Sequence, residues 1–90
     1  MENYLVARAN QGDLYVIWEA TPPDTGWFLF HHGEDGRFKG DTWHMSVEDA
    51  IHQARYVAPD LANATWTEVR GTLEDALTAA RCSRPPNLQP

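Results

Sequence analysis

The chain has 90 residues, 42% of them hydrophobic, and a net charge of −6 from 13 carboxylates against seven Lys and Arg. That length allows one domain with a modest core, and the hydrophobic share excludes a disordered acidic tail. The charge would repel a phosphate backbone and attract a basic protein, so nucleic acid is not expected as a partner.

Taken in chain order, residues 4–9 are rich in strand formers and end at Asn10-Gln11-Gly12-Asp13, a run of turn chemistry. Leu14-Tyr15-Val16-Ile17-Trp18-Glu19 resumes with β-branched and aromatic residues, which predicts an antiparallel hairpin. Pro22, Pro23 and Gly26 make the next segment a loop. Trp27-Phe28-Leu29-Phe30-His31-His32 is a third strand. It closes at Gly33-Glu34-Asp35-Gly36, and Arg37-Phe38-Lys39 begins a fourth strand that returns toward Trp43.

Ser46 is a good N-cap, and Glu48 and Asp49 fall where a helix dipole is positive. Val47, Ala50, Ile51, Ala54, Val57 and Ala58 then recur at the spacing of one buried stripe, up to Pro59, which ends the helix. After a connector, Thr65-Trp66-Thr67-Glu68-Val69 has the composition of a fifth strand. Thr72, Asp75 and the stripe Leu73, Ala76, Leu77, Ala80 predict a second capped helix. The two helix starts align at a spacing of 26 residues, but the residues between them do not match, so they represent one good helix start used twice rather than a solenoid.

The expected fold is α+β, an antiparallel β-meander of four to five strands with two α-helices packed on one face. Residues 1–82 form the single domain and residues 83–90, with three prolines, a flexible C-terminal tail. Cys82 is the only cysteine, so no internal disulfide or single-chain thiolate zinc site can form. The first residues lack a basic region followed by an apolar run, and no stretch nears the ~20 apolar residues that span a bilayer. A cytoplasmic protein with no membrane partner is expected.

The segments 14–18 and 27–30 are apolar at every position, whereas a strand with one wet face alternates. Helices on one face would leave the other uncovered. The bare face, built from Tyr15, Ile17, Phe28 and Phe30 or from their neighbours of opposite parity, would dock a partner or a second copy of the chain.

No residues carry a catalytic or metal signature. His31 and His32 are adjacent on a strand and point to opposite faces, and His44 and His52 lack a ligand spacing. Glu48-Asp49 and Glu74-Asp75 are accounted for by helix starts. There is no phosphate cradle and no nucleophile elbow, so neither an enzyme nor a cofactor is expected. What remains is acidity. Between Asp13 and Asp49 there are eight carboxylates against Arg37 and Lys39 alone. A partner-binding rim of Trp27, Glu34, Asp35, Asp41, Trp43, His44, Glu48 and Asp49 is predicted around the 33–36 turn and the start of the first helix, with aromatics as anchors and carboxylates as steering groups.

Trp43, the Ser46-capped helix with Glu48-Asp49-Ala50 and Gln53-Ala54, and the Trp66-Thr67-Glu68-Val69 strand together resemble a pattern of small bacterial immunity proteins of polymorphic toxin systems. The resemblance covers residues 26–70, and the second capped helix at Thr72 departs from it. It implies a cytoplasmic inhibitor that binds one cognate toxin, often a basic enzyme, and occludes its active site. The rival expectations are a phage-type inhibitor or nucleic-acid mimic, whose carboxylates would form a stripe along one face, and a small-molecule-binding domain with a cavity near Trp27, Trp43 and His44.

Overall fold

A computed structural model describes residues 2–88. Five strands, β1 (Glu2–Arg8), β2 (Leu14–Glu19), β3 (Trp27–His32), β4 (Phe38–His44) and β5 (Thr67–Gly71), form one sheet in the order β4-β3-β2-β1-β5. Every neighbouring pair is antiparallel. Two helices complete the fold, α1 (Val47–Val57) and α2 (Leu73–Cys82), with a 3-10 turn at Pro59–Asn63. The α+β class, the sheet and the helix count are as the sequence implies.

Both helices begin at the caps read from the sequence. Ser46 Oγ accepts from Asp49 N at 3.1 Å. At α2 the cap is reciprocal: Asp75 N donates to Thr72 Oγ1 at 3.1 Å and Thr72 N donates to Asp75 Oδ2 at 2.9 Å. Each cap supplies acceptors for N–H groups that have no partner within the helix.

The helices do not share a face. Ala50 and Ala54 of α1, with Ala58 and Leu61 after it, pack on Ala7, Tyr15, Ile17 and Leu29. Ala76 and Ala80 of α2 pack on Tyr4, Val6, Leu14 and Val16, which point the other way. The expectation of both helices on one face is corrected here, and chain geometry supplies the reason. β4 and β5 occupy opposite edges of the sheet, so the segment between them has to cross its full width. α1 and the 3-10 turn make that crossing on one face, which leaves the other face for α2. Two-sided cover is also what strands apolar at every position require. The buried helix positions are almost all alanine, which lets each helix lie close to the sheet.

Pro86–Leu88 forms a 3-10 turn, and Asn87 N donates to Asn10 Oδ1 at 2.8 Å. The remainder of the expected tail, Gln89 and Pro90, lies outside the described residues, as does Met1. Among the described residues, no helix is long and apolar enough to cross a membrane.

Candidate protein-interaction surface

Strand direction sorts the charges. Because neighbours alternate in direction, β1 and β3 begin at the end of the sheet where β2, β4 and β5 finish. α1 follows β4 and α2 follows β5, so both helices start at that same end. Glu2, Glu19, Asp24, Glu48, Asp49, Glu74 and Asp75 therefore gather there, with Arg70 the nearest cation among the described residues. The other end takes Arg8, Arg37, Lys39, Arg55, Arg81 and Arg84, against Asp13, Glu34, Asp35 and Asp60. The molecule has an acidic pole and a weakly basic one. The helix dipoles explain part of this, since acidic side chains are favoured in first turns, here Glu48, Asp49, Glu74 and Asp75, and basic ones in last turns, here Arg55 and Arg81.

The predicted rim is only partly assembled. Trp27 and His44 are cross-strand partners at the acidic end, on the α1 side of the sheet. His44 Nε2 lies 2.6 Å from Thr42 Oγ1 in a hydrogen bond. Trp43 is at the same end on the opposite side, paired with Phe28, and its Nε1 donates to Thr25 O at 2.9 Å. Glu48 and Asp49 stand beside them in the first turn of α1.

Glu34 and Asp35 do not join this group. They occupy the β3–β4 turn, a full strand length away at the basic end. Asp41 lies midway along β4, opposite Phe30. Glu34 is also ion-paired with Arg8, and its carbonyl accepts from Arg81 Nε at 3.2 Å. Asp35 Oδ1 accepts from Arg37 N at 3.0 Å. Arg8 offsets the charge of Glu34, while Asp35 ties down the turn and keeps its charge on the surface at the basic end, away from the rest of the rim. Residues that the sequence reading left out of the rim, Glu2, Glu19, Asp24, Glu74 and Asp75, belong to the acidic pole instead. Alternation of strand direction was the signal that could have found them.

The uncovered apolar surface differs in composition from either expected set. Register pairs Val16 with Phe30 and Trp18 with Phe28, so Phe28 and Phe30 face the α2 side while Tyr15 and Ile17 lie under α1. α2 covers β1, β2 and β5 but not β3 and β4. On the open half, Trp18, Phe28 and Phe30 form a stacked ladder with centroid spacings of 5.6 Å and 6.1 Å. Phe38 and Trp43 flank it, 56% and 51% exposed. Trp18 Nε1 donates to Glu2 Oε2 at 2.8 Å, which joins the ladder to the acidic pole.

Two further arrangements lie on the α1 side. A hollow of about 270 Å³ opens at the acidic end between Val47, Trp27, Leu5 and Ile17, with Glu19 and Glu68 in its lining. Nearer the basic end, Asp13 Oδ2 accepts from His31 Nε2 at 2.7 Å and from Lys39 Nζ at 3.0 Å. Burial alone would raise the Asp13 pKa, but these hydrogen bonds and the charges behind them outweigh it and hold the carboxyl below its usual range. Tyr15 is fully buried and its hydroxyl makes no hydrogen bond to the protein. Burial, reinforced by Asp13 and Asp60, pushes its pKa up to about 12. Among the described residues, no three His, Cys, Asp or Glu side chains converge as a metal site.

No protein-family model, curated protein or solved structure matches this chain.

Proposed function

We propose that the chain is a small acidic binding protein that neutralises a cognate enzyme by covering a basic active-site cleft, in the manner of the immunity proteins whose Trp43–Ala54 and Trp66–Val69 pattern it resembles. The polar distribution of charge carries this reading. Seven carboxylates, Glu2, Glu19, Asp24, Glu48, Asp49, Glu74 and Asp75, are gathered where the loops and helix starts protrude, and most of the cations are at the far end. Such a field orients the molecule toward a positive cleft and speeds encounter. Trp27, Trp43 and the Trp18–Phe28–Phe30 ladder border the pole and supply the aromatic anchors from which interfaces draw most of their affinity. The clustering at one end, rather than in a stripe along a face, favours cleft occlusion over mimicry of a phosphate backbone.

The test is to isolate the enzyme that the chain binds in its native host and measure inhibition with purified components. Stoichiometric inhibition is expected, with an association rate that falls as salt rises. Reversing Glu48, Asp49 and Glu74 to Lys should slow association roughly tenfold or more at low salt, while reversing Glu34 and Asp35 should change it by less than about twofold. Undiminished activity of the bound enzyme, or equal effects from the two sets, would refute the reading.

A further inference from the structure

We propose that the hollow at the acidic end receives one arginine side chain from the basic partner. The inference rests on the partner being a basic protein and adds where and how one of its residues is gripped.

The hollow's volume of about 270 Å³ falls just below the ~300 Å³ at which small-molecule sites begin, so it suits a single side chain better than a cofactor. Its walls are of two kinds. Leu5, Ile17 and Val47 are apolar and match the three-carbon stem of an arginine. Trp27 offers an indole face, on which a planar guanidinium stacks with both dispersion and cation–π attraction. Glu19, the last residue of β2, and Glu68, in β5, bring two carboxylates to the same cavity. Neither makes an ion pair or hydrogen bond to any other described side chain.

Glu19 and Glu68 stand on the strands either side of β1, so an incoming cation meets a carboxylate on each flank of the oily slot. The five N–H donors of a guanidinium can serve both, whereas the point charge of an ammonium cannot match the flat ring and two acceptors at once. A second hollow of about 200 Å³ shares Asn3 and Glu19 with the first and is bounded by Pro22. Glu19 thus stands on the ridge between them, within reach of chain that continues past the anchored arginine. Arg70 is on the same side of the sheet, two residues beyond Glu68, but is not part of the cavity lining and pairs with neither carboxylate. As a nearby positive charge it opposes an incoming cation.

The probe is N-acetyl-arginine N-methylamide, titrated into isotope-labelled chain at low salt and followed by NMR. Saturable shifts confined to the Trp27 indole and the Leu5 and Val47 methyls are expected. The isosteric citrulline amide should produce none, and the lysine amide should bind at least about threefold more weakly. Glu19→Gln with Glu68→Gln should weaken arginine binding by about fivefold or more, and Arg70→Gln should tighten it. Both Glu residues are exposed, and an otherwise unchanged spectrum verifies the fold of each variant. Absence of saturation, equal shifts with citrulline, or shifts spread evenly over Glu48 and Glu74 would overturn the proposal. The partner enzyme takes no part in this titration. The arginine site can therefore fail while the charge-reversal experiment succeeds, and the reverse.

Discussion

The imidazole of His31 lies flat against the ring of Tyr15, with centroids 4.5 Å apart and planes 15° apart. The same imidazole donates through Nε2 to Asp13. A polar relay thus ends on an aromatic ring whose own hydroxyl has no protein partner.

That hydroxyl is the basis of the first prediction. Burying an unpaired O–H is unfavourable, so Tyr15→Phe should raise stability by about 1 kcal/mol in denaturant unfolding. It should also change the alkaline behaviour. With a folded pKa of about 12 against ~10 in the unfolded chain, Tyr15 contributes stability that is complete below the unfolded value and is lost as pH rises toward the folded one. The parent chain should lose about 2–3 kcal/mol from this group across that window, and the Phe variant should not. A Phe variant with the same slope would exclude Tyr15 as its source.

Asp13 has the opposite sign. Its folded pKa is held below its ordinary value, so its contribution is present above the unfolded pKa of ~3.9 and disappears as pH falls through the lower folded one. Asp13→Asn should cost about 1–2 kcal/mol at neutral pH and flatten the acid limb of the stability curve. Lys39→Met should cost less, under ~1 kcal/mol, because that ammonium is half exposed.

Gly26 has φ +99°, and a Cβ there would run into the indole of Trp43. Gly26→Ala should cost about 1–3 kcal/mol from backbone strain alone. It should also push the indole away from Thr25 O, which a shift of the Trp43 side-chain N–H resonance would register. An unmoved resonance would count against the close packing.

The helix caps provide an additivity test. Ser46→Ala and Thr72→Ala should each lower stability by about 1 kcal/mol, since each removes the hydroxyl that accepts from a first-turn backbone N–H. The two helices lie on opposite faces with no shared partner, so the double variant should equal the sum to within ~0.5 kcal/mol.

Sequence pattern made the strands, both helix starts and the pressure toward a greasy, two-sided sheet readable. Ser46, Thr72 and Pro59 act on their own neighbours, so their consequences are local and survive folding. Register was not readable. Pairing of Phe30 with Val16 rather than Tyr15 depends on how the 20–26 loop closes, and one residue of slip exchanges the two faces. The split of the rim has the same kind of cause. Glu34 and Glu48 are 14 residues apart in the chain, yet β4 runs between them and carries them to opposite ends. Arg8 and Arg81, which hold the 33–36 turn, come from distant segments whose proximity no local pattern records.

The position of β1 bears on how the molecule comes into being. It precedes the other four strands yet lies inside the sheet, flanked by β2 and β5, so one of its edges is unmatched until residues 67–71 have been synthesised. At an elongation rate of roughly 5–20 residues per second, that edge stays open for several seconds on the ribosome. Over the same interval Val6 and Val16 lack the cover that α2 gives them. Closing the sheet therefore depends on residues 67–71, and a truncation before Gly71 would strand the β1–β2 hairpin as a sticky intermediate.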